Sequence, residues 1–224
     1  MINIKLIRDK ERIRLGINKK LLKMGGKEPV PLKTINGSDV IFVHISKTGG
    51  TSIIEALKYK SKIHMTSREI INMLGAKKWE ESFSFTFVRN PWDKVTSHYR
   101  YLIKTGYFLK HFGKLSFKDW VKRAYKNKDV EFYKQESPKM YYPQMDWITD
   151  FSGNVCINFI GRFENIEKDF TKLTNLLGIS PKLRHLNRTN MSNTMSYKDY
   201  YDNETKIIIE NAFLKDIEHF KYGF

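Results

Sequence analysis

A lysine, two adjacent glycines and several hydroxyls share one short run, Ser46-Lys47-Thr48-Gly49-Gly50-Thr51-Ser52. These are the groups that hold an anion. Gly49 and Gly50 let the backbone curl close to it, Lys47 adds positive charge, and Thr48, Thr51 and Ser52 add hydroxyl donors. A strand before the run and a helix after it would aim unpaired N–H groups and the helix dipole at the same point. The run does not fit the nucleoside triphosphate P-loop, which needs a first glycine four residues ahead of Gly-Lys-Ser/Thr. His44, Ile45 and Ser46 stand in that place. Triphosphatases also hold Mg²⁺ with an acidic residue at a strand end, whereas the strand ends here read His-Ile-Ser, Val-Arg-Asn and Ile-Gly-Arg. For a transferred group less charged than phosphoryl, lysine and backbone donors can suffice without a metal.

A second constellation is Phe87-Val88-Arg89-Asn90-Pro91-Trp92-Asp93-Lys94-Val95-Thr96-Ser97-His98-Tyr99. Arg89 leaves the sheet at a strand's C-terminal end, where open α/β sheets bind ligands. Ser97 follows about two helical turns later. A guanidinium fork and a hydroxyl suit a phosphate. Either residue alone reads more simply as a surface arginine or a helix serine. Beside the glycine turn, they read as a second anion anchor.

Strands alternating with helices must position these groups, so the expected fold is α/β, a central parallel sheet flanked by helices, with P-loop-like nucleotide binding. Strands are expected over 40–45, 61–65, 83–88 and 155–160. Helices are expected from Thr51 to about Tyr59, over 67–74 with Ser67 as N-cap, over 92–103, 117–126, 165–177 and 203–219. Gly25-Gly26, Pro29 and Pro31 divide a basic N-terminal arm (1–36) from a single domain (37–224). The arm lacks the uninterrupted apolar core of a signal peptide, although a basic amphipathic stretch can rest weakly on an acidic membrane. Nowhere do 18 apolar residues run together, so no transmembrane span is expected.

The net charge of +16 favours anionic partners and selects nothing finer; a surface of solvated lysines gives the same number. Cys156 is the one cysteine, which excludes an intrachain disulfide and reads as a small buried hydrophobe. No His, Cys or Asp cluster has metal-ligand spacing.

Taken together, the two constellations resemble the Golgi-type carbohydrate sulfotransferases, the family of heparan sulfate 2-O- and 6-O-sulfotransferases (sulfotransferase family 2). His44-Ile45-Ser46-Lys47-Thr48-Gly49-Gly50-Thr51-Ser52 is similar to that family's 5′-phosphosulfate loop, and Phe87 to Tyr99 is similar to its 3′-phosphate motif. Gly161-Arg162-Phe163-Glu164-Asn165 and the stretch from Asp216 to Phe224 extend the likeness to the C-terminus. The resemblance implies a sulfotransferase that takes 3′-phosphoadenosine 5′-phosphosulfate (PAPS) as co-substrate, releases adenosine 3′,5′-bisphosphate and sulfates a hydroxyl, expected on a carbohydrate. It implies that Lys47 meets the phosphosulfate and steadies the departing phosphate oxygen. Thr48, Gly49, Gly50, Thr51 and Ser52 would cradle the 5′-phosphate, and Arg89 and Ser97 would hold the 3′-phosphate. Arg188 and Thr189, in the loop from Asn187 to Asn193, would close over the nucleotide. Two departures stand out. Ser46 replaces the usual proline, which loosens the loop, and the Golgi members' membrane anchor has no counterpart, which implies a soluble, cytoplasmic enzyme.

An alcohol attacking sulfur must lose its proton, and histidine suits that task near neutral pH. Among His44, His64, His98, His111, His185 and His219, His64 is the expected base, because it stands at the expected end of the second strand. His44 is expected to support the loop, and His98 is a lesser candidate facing the acceptor. Tyr133, Tyr141, Tyr142, Trp147 and Phe151 offer rings for sugar stacking, although aromatics at such spacing are more often core. Glu164 is expected to complement the dipole of the helix that follows it. The competing readings are a P-loop-type kinase using ATP and a non-catalytic binder of anionic polymers. The first lacks the glycine and the acidic strand end; the second lacks any nucleic-acid-binding signature, so no nucleic acid partner is expected.

Overall fold

The computed structural model describes residues 31–60, 63–135, 137–183 and 195–224. Most of the basic arm, together with His185, Arg188 and Thr189, lies outside them. The architecture is mixed α/β, a four-stranded sheet in the order β1-β2-β3-β4 with helices packed on it.

Strands β2 (Ser38–Phe42), β3 (Phe83–Val88) and β4 (Phe159–Arg162) are parallel, as expected. Their alternation is apolar on both faces: Val40 and Phe42 point into one core, Ile41 and Val43 into another. Such two-faced burial is the mark of a parallel sheet covered on each side. The sheet is not wholly parallel, however. β1 (Leu32–Ile35), inside the stretch read as arm, pairs antiparallel with β2. The cause is Asn36-Gly37, whose positive φ angles of 49° and 81° form the two-residue turn that strand twist favours.

The helices are α1 (Gly50–Ala56), α2 (Ser67–Leu74), α3 (Ala76–Glu80), α4 (Pro91–Lys104), α5 (Tyr107–His111), α6 (Phe117–Val121), α7 (Val130–Gln135), α8 (Met145–Ile148), α9 (Ile166–Leu176), α10 (Asn203–Ala212) and α11 (Leu214–Phe220). Four expectations need correction. Residues 63–66 form no strand, so His64 is not at a strand end. Thr66, not Ser67, caps α2: its side chain accepts from the Glu69 N–H while Glu69 accepts from the Thr66 N–H, a reciprocal capping box. Ser67 instead donates to the Trp147 carbonyl at 2.8 Å. The strand expected from Val155 begins only at Phe159, because the Asn158 side chain takes the Ser84 N–H at 2.8 Å and displaces the ladder. The last helix breaks at buried Phe213, giving α10 and α11.

Packing divides three ways. Ile53, Ile54, Phe85, Phe87, Phe170 and Leu173 join α1 and α9 to one sheet face. Ile41, Val43, Val88, Ile70 and Trp147 fill the other. A third cluster is almost entirely helical and aromatic, built on Trp92, Tyr99, Phe108, Trp120, Phe132 and Phe213. Among the described residues no helix is long and apolar enough to cross a membrane.

Candidate functional site

The chain leaves β2 through Val43-His44-Ile45 and turns sharply before α1. Lys47 has φ +66° and Gly49 φ +86°, with Thr48 between them on the negative side. Alternation of this kind gathers successive N–H groups into an anion-binding concavity. Left-handed backbone at a lysine costs about 1–2 kcal/mol, so the turn is held against a real preference. Gly50 is required sterically, since a Cβ there would lie 2.0 Å from His44 Nε2. At Gly49 a Cβ would meet Ile166 at 2.6 Å and Phe163 at 3.1 Å.

The two constellations meet. Arg89 Nη1 donates to the Lys47 carbonyl at 3.1 Å, and its guanidinium lies 4.0 Å over the Phe163 ring that abuts Gly49. Nε and Nη2 donate to the two carboxylate oxygens of Asp93 at 2.9 and 2.7 Å. A guanidinium carries five N–H donors; these three contacts leave one on each Nη for a ligand. On α4, Asp93, Ser97 and Tyr101 recur every fourth residue and so share a face. Asp93 binds Arg89 at one end of this stripe. At the other end Lys47 Nζ lies 4.3 Å over the Tyr101 ring. Half-buried Ser97 stands between them.

The Arg89 turn is bolted from several directions. Asn90 caps α4 through its side chain with Pro91 at the first helical position. Its N–H donates to Glu164 at 2.6 Å and its side-chain amide donates to the Gly223 carbonyl at 2.7 Å. Glu164 therefore fastens this turn as well as standing in the first turn of the short 3-10 helix Phe163–Asn165 that leads into α9, and the Tyr222 hydroxyl also donates to it, at 3.3 Å.

His64 reaches the same place from its extended segment. Its Nδ1 lies 2.9 Å from the His44 carbonyl and its ring is 4.1 Å from that of His44. Since a carbonyl only accepts, Nδ1 carries the proton and Nε2 keeps its lone pair. Burial holds the His64 pKa below its ordinary value; the charges of Lys139 and Lys47 push the same way, against the His44 hydrogen bond. His44 stacks on Phe42 at 5.1 Å and fills the space beside Gly50, the supporting place expected of it. His98 lies among core aromatic rings and not beside the Lys47 turn. It is buried against Trp120 and Tyr141, each 5.3 Å away. The Thr48 hydroxyl is buried and donates to the Ile45 carbonyl at 2.9 Å, so it closes the turn rather than reaching outward. Thr51 is half-buried and Ser52 buried at the start of α1.

Of the five rings proposed for sugar stacking, two are core, and Tyr133 and Tyr142 are half-buried against it. Tyr141 and Trp147 are buried, and Tyr133 donates its hydroxyl to the Ala124 carbonyl; Phe151 is exposed. Sequence reasoning missed Asp93, Lys139, Gln144 and Asp216. Lys139 donates to the His64 carbonyl at 2.8 Å and to both Glu69 oxygens at 2.9 Å. The Asp93 contact was legible as an Arg–Asp pair four residues apart, whereas the others arrive from distant segments without a local signal.

The sequence model of the sulfotransferase family matches residues 34–223. An uncharacterized protein of Archaeoglobus fulgidus is 32% identical over 114 residues, covering 51% of this chain and 82% of its own length. With nearly the whole described body inside the family match, the chain belongs to the sulfotransferase family.

Proposed function

We propose that this sulfotransferase moves the sulfuryl group of PAPS to a hydroxyl on a carbohydrate. The observation that carries the reading is the 3.1 Å contact between Arg89 and the Lys47 turn, which sets the left-handed Lys47 and Gly49 backbone beside a cationic fork. In this reading the N–H groups from Thr48 to Thr51, with the Thr51 and Ser52 hydroxyls, receive the 5′-phosphate, while the Ser52 N–H closes the turn on the Gly49 carbonyl at 3.1 Å. Arg89 and Ser97 receive the 3′-phosphate, and Arg188 and Thr189 remain proposed contacts.

Transfer is in line: the acceptor oxygen–sulfur bond forms as the bond from sulfur to the 5′-phosphate oxygen breaks. Lys47 neutralises the charge that builds on that leaving oxygen. His64 Nε2 takes the proton from the attacking hydroxyl, with the tautomer set by the His44 carbonyl. The depressed His64 pKa supports this role because it keeps the imidazole neutral at pH 7. The chain's contribution is positioning and fixed electrostatics. Calorimetry with adenosine 3′,5′-bisphosphate, ATP and an oligonucleotide tests the donor. Bisphosphate is expected to bind tightest, and preference for ATP would overturn the reading. Transfer of labelled sulfuryl groups to a panel of glycans then tests the acceptor, and labelling only non-carbohydrate alcohols would reject that part.

A further inference from the structure

Arg89 lies just past the end of β3, where the ladder to β4 stops at the Val88–Arg162 pair. A side chain takes over from there. Gln144 Oε1 accepts from the Arg89 N–H at 2.8 Å and Gln144 Nε2 donates to the Arg89 carbonyl at 2.8 Å. One planar amide thus satisfies both backbone polar groups of Arg89, as a neighbouring strand would. Only Asn and Gln carry an acceptor and a donor on one such group.

The orientation of that amide is itself fixed. Asp216 Oδ2 accepts from Gln144 Nε2 at 3.2 Å and from the Gln144 N–H at 2.7 Å, and Oδ1 accepts from the Met145 N–H at 2.9 Å. A carboxylate turned towards the NH₂ leaves Oε1 facing Arg89. Gln144 and Asp216 are both 0% exposed. Buried Lys94 supplies positive charge nearby and donates to the Met140 carbonyl at 3.4 Å. A satisfied buried network of this kind is rigid.

We propose that Gln144, oriented by Asp216, is a positioning residue that aims Arg89 at the 3′-phosphate. This rests on the donor reading above. The guanidinium ends a long flexible stem, so its aim depends on a backbone that does not shift. Asp93 and the Lys47 carbonyl hold the head, while Gln144 holds the base.

The test is the ratio of affinities for adenosine 3′,5′-bisphosphate and adenosine 5′-monophosphate, which isolates the 3′-phosphate contact. Hydrogen bonds to charged groups predict a preference for the bisphosphate of roughly 10- to 100-fold in the unaltered protein. Arg89→Ala removes most of it. Gln144→Ala is expected to cut the preference about tenfold, and near-isosteric Gln144→Glu to act in the same direction by losing the donor to the Arg89 carbonyl. Asp216→Asn should cost less, about threefold, because the amide of Gln144 survives. A purely structural role would lower the melting temperature and leave the ratio alone. An unchanged ratio in folded Gln144→Ala or, should that variant not fold, in Gln144→Glu, overturns this proposal and spares the donor reading. No preference in the unaltered protein overturns both.

Discussion

Around the Lys47 turn, polar side chains work on the backbone. Thr48 closes its own turn, Asn90 caps α4, Glu164 and Gln144 hold the Arg89 segment, and His64 leans on the His44 carbonyl. The helical layer is built the other way. Trp92, Tyr99, Phe117, Trp120, Tyr125 and Tyr141 pack ring on ring, most pairs tilted or edge to face, the arrangement aromatic quadrupoles favour. Helix α4 is the shared wall. Its Trp92-Val95-Tyr99-Leu102 stripe enters the aromatic cluster, and its Asp93-Ser97-Tyr101 stripe borders the turn. The comparison teaches that one helix gives one face to the aromatic core and the opposite face to the proposed nucleotide site.

That separation can be broken by substitution. Trp120→Ala, in the aromatic layer, is expected to cost about 3–5 kcal/mol of stability. Its folded fraction should still bind adenosine 3′,5′-bisphosphate within about threefold of the parent, roughly 0.6 kcal/mol. Chemical denaturation and calorimetry read the two quantities. A large loss of affinity would mean that the layers are coupled.

Lys47→Ala should do the reverse. Removing a donor aimed at developing charge lowers turnover by about 10²- to 10³-fold, with little change in melting temperature. It also relieves no left-handed strain, since alanine is no easier there than lysine. A melting temperature that falls with activity would place Lys47 in the structural class instead.

His64 sharpens the same comparison through pH. Because burial lowers its pKa, the folded protein keeps His64 neutral down through the ordinary value of 6.5. The acid limb of kcat should therefore lie below pH 6.5 and vanish in His64→Ala, whose residual turnover should fall about 10²-fold or more. The linked stability term has the same sign: it is present above the unfolded value and lost as pH falls through the folded one. An acid limb above pH 6.5 would exclude His64 as the base.

The smallest effect is expected at the cap of α2. Thr66→Ala should cost about 1 kcal/mol in thermal unfolding and leave bisphosphate affinity unchanged. A shift in affinity would show that the His64 segment is less firmly held than its contacts imply.

Much of this was legible in the sequence. The glycine turn, Arg89 and the three parallel strands follow from local residue types, because backbone conformation and strand periodicity are local properties. The Asn36-Gly37 hairpin and the Thr66–Glu69 box are local patterns too, the first a two-residue turn at the end of the basic arm and the second one position before Ser67. Gln144, Asp216 and Lys139 were not legible. Each acts across dozens of residues, on segments whose own spacing carries no pattern, and only tertiary packing brings them to Arg89 and His64. His98 and Tyr141 show the converse, because chemically capable side chains were claimed by burial.

The central claim is that the Lys47 turn and Arg89 grip opposite ends of one nucleotide. A crystal structure with adenosine 3′,5′-bisphosphate bound tests it most directly. The account predicts the 5′-phosphate in the concavity formed by residues 47–52 and the 3′-phosphate within hydrogen-bonding distance of Arg89 and Ser97. A nucleotide bound elsewhere, or one whose 3′-phosphate faces solvent with Arg89 still held only by Asp93 and the Lys47 carbonyl, would contradict it.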